Sequence, residues 1–408
     1  MIKRKIVNDP IYGFITIPDG IIFKLVEHPY FQRLRRIQQL GITSLVYPGA
    51  IHTRFHHALG AMHLMTNAIE TLRSKGIEIT DNEAESAQIA ILLHDIGHGP
   101  FSHILEHSIV KGISHEDISA MLMERLNKEF KGKLTLAIKI FRGEYHKKFL
   151  HQLVSSQLDV DRLDYLTRDT FFTGVSEGVI GYDRIIKMLT VADGNLVVEA
   201  KGIYSIEKFI IARRLMYWQV YLHKTVLSGM ELLVNILKRA KELADAGEEL
   251  FCTPAFAIFL FNDLGKKDFA KYPDLLDAFA QLDDYDVLSS IKVWTGHDDN
   301  ILSTLCTWLI NRHLYKIVLQ DKPIAKSQLK ILQEEAMDKY KVTAKEVGYF
   351  VSTDQVTNDI YSTQQVRINI VYPNGKIMDF TKASDNLNTN AINTVTRKYF
   401  VCYPKGLI

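Results

Sequence analysis

Five consecutive apolar residues, Ile89-Ala90-Ile91-Leu92-Leu93, run directly into the pair His94-Asp95. A helix that is apolar all round must be packed among other elements, so the chain is expected to fold around this segment. Burying an unpaired carboxylate at its end is costly; Asp95 therefore needs a cation or hydrogen-bond donors beside it. A divalent metal supplies such a partner, and imidazole plus carboxylate is an ordinary ligand set for a transition metal.

The hydrophobic periodicity around this segment is mostly helical. Phe31, Leu34, Ile37 and Leu40 recur at three-residue steps and predict a helix from about residue 27 that stops at Gly41. Further helices are predicted over 55–74, 82–96, 114–127, 150–169 and 204–244, and Ser114 with Asp117 three residues on reads as a capping box. The opening segment, from Asn8-Asp9-Pro10 to Pro18-Asp19-Gly20, predicts turns and a short strand, and residues 196–199 another strand. Residues 250–320 read as more helices. Beyond 324 the pattern becomes mixed, with a helix over 326–341 and strands over 347–352, 366–372, 376–380 and 399–403. Asn374-Gly375 between two alternating runs signals a hairpin. At 408 residues more than one unit is expected, divided as a core over 1–245, a helical extension over 246–324 and a small α+β subdomain over 325–408. The fold class expected is mainly α.

Composition excludes several functions. A net charge of +2 is too small for non-specific nucleic-acid binding, so nucleic acid is not expected as a partner and any anion must be met by local clusters. Three distant cysteines, Cys252, Cys306 and Cys402, form no CxxC pair and predict a reduced, cytoplasmic protein. The basic start, Met-Ile-Lys-Arg-Lys, has no apolar stretch behind it, and no apolar run is long enough to span a bilayer. No membrane association is expected.

Two ligands do not make a tight site. His57 near the start of one predicted helix and Asp161 within another would complete the set with His94 and Asp95, leaving open positions for water and substrate, as metal-assisted hydrolysis requires. Gly97 and Gly99-Pro100 predict a sharp exit, which puts His98 and His103 on a loop above these groups. His63, His146, His151 and His313 read as hydrogen-bonded packing residues. Arg213 and Lys224 flank the aromatics Tyr217, Trp218 and Tyr221, and cations beside aromatic rings suit a nucleotide.

Four segments carry a family resemblance. They are Phe31-Gln32-Arg33-Leu34-Arg35, Arg54-Phe55-His56-His57, His94-Asp95-Ile96-Gly97-His98-Gly99-Pro100-Phe101-Ser102-His103 and Asp159-Val160-Asp161-Arg162-Leu163-Asp164-Tyr165. Together they make the chain similar to the HD-domain deoxynucleoside triphosphate triphosphohydrolases, in particular those that carry a sterile-alpha-motif module. The likeness covers about residues 5–240 and, more weakly, Asn311 to Lys316. A bare His-Asp pair would be weak; the order His, His-Asp, Asp with His-Gly-Pro-Phe-Ser-His attached is specific.

The resemblance implies an HD-domain helical core in which His57, His94, Asp95 and Asp161 ligate a divalent ion (Mg, Mn, Fe, Zn, Co or Ni). It implies that His98, His103 and His115 face the substrate phosphates, with Glu106, where relatives carry aspartate, orienting His103 as the general acid. Arg54, Tyr165 and Asp169 would bind phosphate and sugar, Gln39 and Leu40 would lie against the sugar, and Arg213 and Tyr221 would serve the nucleotide. The implied reaction is attack of water on the α-phosphorus of a deoxynucleoside triphosphate, releasing deoxynucleoside and tripolyphosphate. The alternatives are an HD phosphohydrolase of another phosphoester, such as a nucleoside monophosphate or a cyclic dinucleotide, and a non-catalytic nucleotide sensor. No Gly-Tyr-Pro extension follows His94-Asp95, which disfavours one class of cyclic-dinucleotide phosphodiesterase. The family also implies a homo-oligomer, dimer or tetramer, activated by a nucleotide between subunits. Lys5, Arg35, Arg184, His223, Lys224, Arg312 and Lys316 match the residue types of that second site. Glu27 in place of aspartate, and the lack of a further basic residue near Lys201-Gly202-Ile203, bear on base selectivity there.

Overall fold

The computed structural model describes residues 5–101, 104, 109–110, 112–358, 367–385 and 396–407. The chain opens with a hairpin, β1 (Lys5–Asp9) and β2 (Gly13–Ile17), whose buried face carries Ile15 and Ile17. The helix expected from residue 27 is instead two short helices, α1 (Ile21–Glu27) and α2 (Pro29–Gln32), then a 3₁₀ turn (Arg33–Arg36). Pro29 holds His28 in an extended conformation, and that ends α1.

The centre is formed by α3 (Arg54–Ser74) and α4 (Asp81–Leu93), packed side by side. Thr80 and Glu83 cap α4 reciprocally: Glu83 N donates to Thr80 Oγ1 at 3.3 Å and Thr80 N to Glu83 Oε2 at 2.8 Å. Ile89, Ala90, Ile91, Leu92 and Leu93 are all buried, as the apolar run demanded, but the helix stops at Leu93 and His94 is its C-cap. α5 (His115–Glu129) has the capping box expected of Ser114 and Asp117. It is followed by α6 (Thr135–Phe141), α7 (Lys148–Val154) and α8 (Val160–Thr173). The single helix expected over 150–169 is thus broken. Ser155 is extended, and the Asp159 side chain accepts from Arg162 N at 2.8 Å and so starts a new helix. Gly174, with φ +73°, ends α8 in the left-handed conformation that glycine tolerates.

After α9 (Tyr182–Met188) come β3 (Leu189–Ala192) and β4 (Asn195–Glu199). The one long helix expected over 204–244 is α10 (Ile203–Met216), a π turn (Tyr217–Tyr221) and α11 (Lys224–Asp245). His223 is extended and its Nδ1 caps Thr225 N at 3.2 Å. The helical extension runs through α12 (Pro254–Leu260), α13 (Lys266–Lys271), α14 (Asp274–Phe279), α15 (Asp284–Trp294) and α16 (Asn300–Ile310). It gives way to a strand, β5 (Lys316–Gln320), where helix was expected.

The remainder is α17 (Lys326–Tyr340), β6 (Ser352–Asn358), β7 (Asn369–Val371), β8 (Ile377–Asp379), α18 (Phe380–Ala383) and β9 (Thr396–Tyr403). Residues 347–349, expected to begin a strand, form a 3₁₀ turn. The β7–β8 hairpin around Asn374-Gly375 is present. Sheet pairing runs across residues 245 and 324: β4 pairs parallel with β7 in the order β3-β4-β7-β8, and β5 and β6 flank β9. The molecule is mainly α with small sheets. Among the described residues no helix is long and apolar enough to cross a membrane.

Candidate metal centre

Three elements bring three donors to one point. His57 lies in the first turn of α3, His94 at the end of α4 and Asp161 in the first turn of α8. Their ligand atoms all lie within 4.8 Å of one another. His57 Nε2 is 3.4 Å from His94 Nε2, and Asp161 Oδ1 is 3.1 Å from the first and 3.4 Å from the second.

Hydrogen bonds on the far side of each ring fix the tautomers. His57 Nδ1 is 2.7 Å from Asp164 Oδ2, and His94 Nδ1 is 2.6 Å from the Ile91 carbonyl oxygen. Both partners are acceptors, so each Nδ1 carries the proton and each neutral ring turns an Nε2 lone pair inward. Two lone pairs and a carboxylate oxygen converging in this way suit a divalent cation. Without one, the crowding favours protonation: burial opposes charge on His57, but hydrogen bonds to Asp161 and Asp164 outweigh it and hold the ring up to about 10. Asp161 is held far below the usual carboxylate range, against burial, by His57 and His94. Asp95 stands beside the three, with Oδ1 3.2 Å from His94 Nε2 and Oδ2 3.8 Å from His57 Nε2. The donor demanded for Asp95 is present too, since Arg54 Nη1 bonds its Oδ2.

The support behind the centre is polar and buried. Asp164 receives both Nε and Nη2 of Arg168 at 2.9 Å, and Arg168 Nη1 reaches Asp9 Oδ2 at 2.8 Å. This pair fits against α3 only because residue 60 is glycine; a Cβ there would lie 2.0 Å from Asp164 Oδ1 and 2.1 Å from Arg168 Nη2. Gly97 does the same for α5, where a Cβ would meet the His115 oxygen and Ser119 N at 2.3 Å. Ser119 Oγ donates to the His94 carbonyl at 2.7 Å and accepts from Gly97 N at 2.9 Å. Arg33, fully buried, binds the Ile96 and His98 carbonyls through Nη2, both at 2.8 Å.

In front of the centre, His98 Nε2 is 3.4 Å from Asp95 Oδ1 and its ring stacks on His115 with centroids 3.8 Å apart. Burial, with Arg54 nearby, pushes His98 well below its ordinary value, so the ring is neutral. Gln39, Leu40, Arg54 and Tyr221 line one cavity of about 190 Å³ together with Phe101 and Met230. Arg54 therefore joins the cavity to the metal centre. Asp169 is occupied within the fold: Tyr221 Oη donates to its Oδ2 at 2.7 Å and His52 Nε2 lies 2.8 Å from its Oδ1. Tyr165 packs edge-on against Tyr221, with centroids 6.3 Å apart. Arg213 is buried, and its Nε and Nη1 have no hydrogen-bond partner among the described residues. His103 and Glu106 lie outside the described residues.

The HD domain model matches residues 54–169, and the HD associated region residues 180–248. The crystal structure of a phosphohydrolase from Bacteroides thetaiotaomicron is 54% identical in sequence and superposes with a TM-score of 0.96, covering 99% of this chain and 100% of that one. The uncharacterized protein YwfO of Bacillus subtilis is 32% identical over 426 residues, which is 100% of this chain and 93% of the relative. This chain belongs to the HD-domain phosphohydrolases. A deoxynucleoside triphosphate triphosphohydrolase SAMHD1 homolog of Dictyostelium discoideum is 30% identical over 292 residues, spanning 67% of this chain and 56% of that relative.

Within this HD phosphohydrolase, the residues expected at a second nucleotide site each have a local partner or surface. Lys5 pairs with Glu27 at 3.3 Å, Arg35 lies over the Phe55 ring at 3.6 Å, and Arg184 Nη2 donates to the Lys201 carbonyl at 3.1 Å. Arg312 Nε donates to the Leu45 carbonyl at 2.7 Å, the His223 ring faces Tyr47, Lys316 lies over Tyr403, and Lys224 is exposed. Sequence reasoning assigned no role to Asp164, Arg168, Asp9, Arg33 or His52. Only Asp164 and Arg168 left a local trace, as an acid and a base four apart on the helix of Asp161.

Proposed function

We propose that this HD phosphohydrolase cleaves deoxynucleoside triphosphates to deoxynucleoside and tripolyphosphate. The observation that carries the reading is the cavity lined by Gln39, Leu40, Arg54 and Tyr221, which meets the metal centre at Arg54. His57, His94 and Asp161 would hold the divalent cation, with Asp95 beside them. Bound there, such an ion supplies Lewis-acid activation of water and offsets phosphate charge. The mixed imidazole and carboxylate set favours a transition metal.

The chain's own groups have separable tasks. Arg54 and Arg213 offer guanidinium donors to phosphate oxygens, and Arg213 enters with donors already desolvated. His98, stacked on His115 with its Nε2 3.4 Å from Asp95 Oδ1, would face the substrate phosphates. Tyr221, held by Asp169, and Leu40 present a firm wall to the sugar, and the apolar lining excludes water. His103, oriented by Glu106, is proposed as the acid that protonates the departing 5′-oxygen.

The proposal extends to regulation. A homo-oligomer (dimer or tetramer) would bind an activating nucleotide through Lys5, Arg35, Arg184, His223, Lys224, Arg312 and Lys316, all but His223 of which are exposed. An activator that binds only the active assembly must shift the equilibrium toward it. The metal-loaded protein is tested against dNTPs, nucleoside monophosphates and cyclic dinucleotides, with products identified by mass. Deoxynucleoside plus tripolyphosphate is the expected result, and turnover confined to another class would replace the substrate. Rate against concentration for single and paired dNTPs, with solution mass, tests the second site; hyperbolic kinetics at constant mass would remove it.

A further inference from the structure

The start of α15 in the helical extension grips the core at four points. Arg33 Nη1 donates to the Leu282 carbonyl at 2.8 Å, and Arg36 pairs with Asp283. Asp284 then makes two bonds of its own. Its Oδ2 accepts from Gln38 N at 2.8 Å and its Oδ1 from Phe101 N at 3.0 Å. Asp284 is only 4% exposed.

These two amides belong to two chain segments that line the same cavity and meet beside it, since a Cβ on Gly41 would lie 3.8 Å from Phe101 Cα. Gln38 precedes the lining residues Gln39 and Leu40, and Phe101 is itself a lining residue. Phe101 has φ +51°, a left-handed conformation that is strained for a non-glycine residue and must be held by its surroundings. One carboxylate thus ties the two segments together and holds a strained residue in the cavity lining.

We propose that Asp284 is a positioning residue that fixes Phe101 against the Gln39–Leu40 segment, and with it which nucleoside the cavity accepts. This rests on reading the cavity as the nucleoside subsite. Packing alone does not call for an acid here. Burial pushes the Asp284 carboxyl up to about 6, with Asp283 acting in the same direction, while the Gln38 and Phe101 amides and Arg54 oppose it. A carboxylate is suited to the place because it accepts at two oxygens, whereas an asparagine side chain accepts at one and sets an NH₂ against the other amide.

The test is Asp284→Asn, compared with Asp284→Glu and wild type for kcat, KM, metal content and melting temperature on all four dNTPs. Bis(p-nitrophenyl) phosphate serves as a substrate without a nucleoside. Asp284→Asn is expected to raise KM for dNTPs about tenfold, the scale of one lost buried hydrogen bond. Metal content and kinetics on the aryl ester should change less than about threefold, while Asp284→Glu, with two acceptors on a longer arm, should alter the ranking of the dNTPs. Equal losses on dNTPs and the aryl ester, or unchanged KM on every dNTP, would overturn the proposal. If Asp284→Asn does not fold, the ranking shift in Asp284→Glu decides in its place, and an unchanged ranking overturns the proposal. If wild type cleaves the aryl ester and another phosphoester but no dNTP, the substrate reading fails, and the KM split on that phosphoester judges Asp284 separately.

Discussion

The Arg168 cluster behind the metal centre and the unpartnered groups elsewhere around the site are built on opposite terms. Behind it, every nitrogen of the Arg168 guanidinium meets a carboxylate oxygen of Asp164 or Asp9, and Asp9 Oδ1 also accepts from the amides of Ile11 and Tyr12 at 2.9 and 3.0 Å. In the cavity in front, Gln39 Oε1 is buried without a partner among the described residues, and so are two nitrogens of Arg213 on α10. A satisfied buried network adds rigidity and offers nothing to a ligand. An unsatisfied buried donor costs about 1–3 kcal/mol, and in an enzyme that cost marks where a ligand's oxygens belong. The rear therefore serves the geometry of the donors, and under the proposed function the front is where the substrate would bind.

Breaking the rear should have the largest effect. Asp164→Ala leaves the Arg168 charge buried without its main partner and the His57 Nδ1 proton unmatched, and is expected to cost about 3–5 kcal/mol of stability. Bound metal and turnover should fall with it. Urea unfolding and metal analysis check this, and a variant that unfolds like wild type would show that the rear network is dispensable.

Asp161→Ala lies at the boundary between the two sides. Its carboxylate is partly exposed and caps nothing, so the fold should persist while metal is lost and turnover drops more than about 100-fold, beyond the usual cost of an outer-shell change. Full metal content at normal activity would take Asp161 out of the ligand set. Under the proposed function, Arg213→Ala should raise KM about 10-fold with melting temperature unchanged or slightly higher, because two buried, unpartnered donors are removed. A fall in stability without a change in KM would make Arg213 a packing residue.

The smallest effect is expected at a satisfied carboxylate away from the site. Glu83 caps α4 and accepts from Tyr145 Oη at 2.6 Å and Lys147 Nζ at 2.9 Å. Burial would raise its pKa, but Tyr145, Lys147 and Thr80 pull it down to about 2. An acid depressed on folding stabilises above its unfolded pKa of 4.5 and loses that contribution as pH falls toward 2. Glu83→Gln should therefore be less stable by about 1–3 kcal/mol at pH 7, with the gap narrowing as pH falls below 4.5. A gap independent of pH would assign the effect to shape instead of charge.

The sequence by itself determined what is carried by adjacent residues. The apolar run before His94 required a buried helix at the centre of the fold, and α4 is buried along that run. Ser114 with Asp117 capped α5, and Asn374-Gly375 turned a hairpin, because each depends on hydrogen bonds and backbone angles within a few residues. His94-Asp95 stood out because a carboxylate is hard to bury at the end of an apolar helix, His57 and Asp161 counted only as completing that set, and the structure gathers His57, His94 and Asp161. Helix boundaries between good helix formers were not legible. Asp159 starts α8 through a cap that competes with helix continuation, and the π turn at Tyr217–Tyr221 contains no glycine or proline to announce it.

Only the tertiary structure decided which distant groups share a boundary. Asp9 and Arg168 are 159 residues apart, Phe101 and Asp284 are separated by 183, and β4 pairs with a strand that lies beyond the whole helical extension. Each partner alone reads as an ordinary surface charge or loop residue. What selects them is desolvation: once two groups are buried together, each must meet the other's donors or acceptors, and that requirement is set by the packed chain and not by its local pattern.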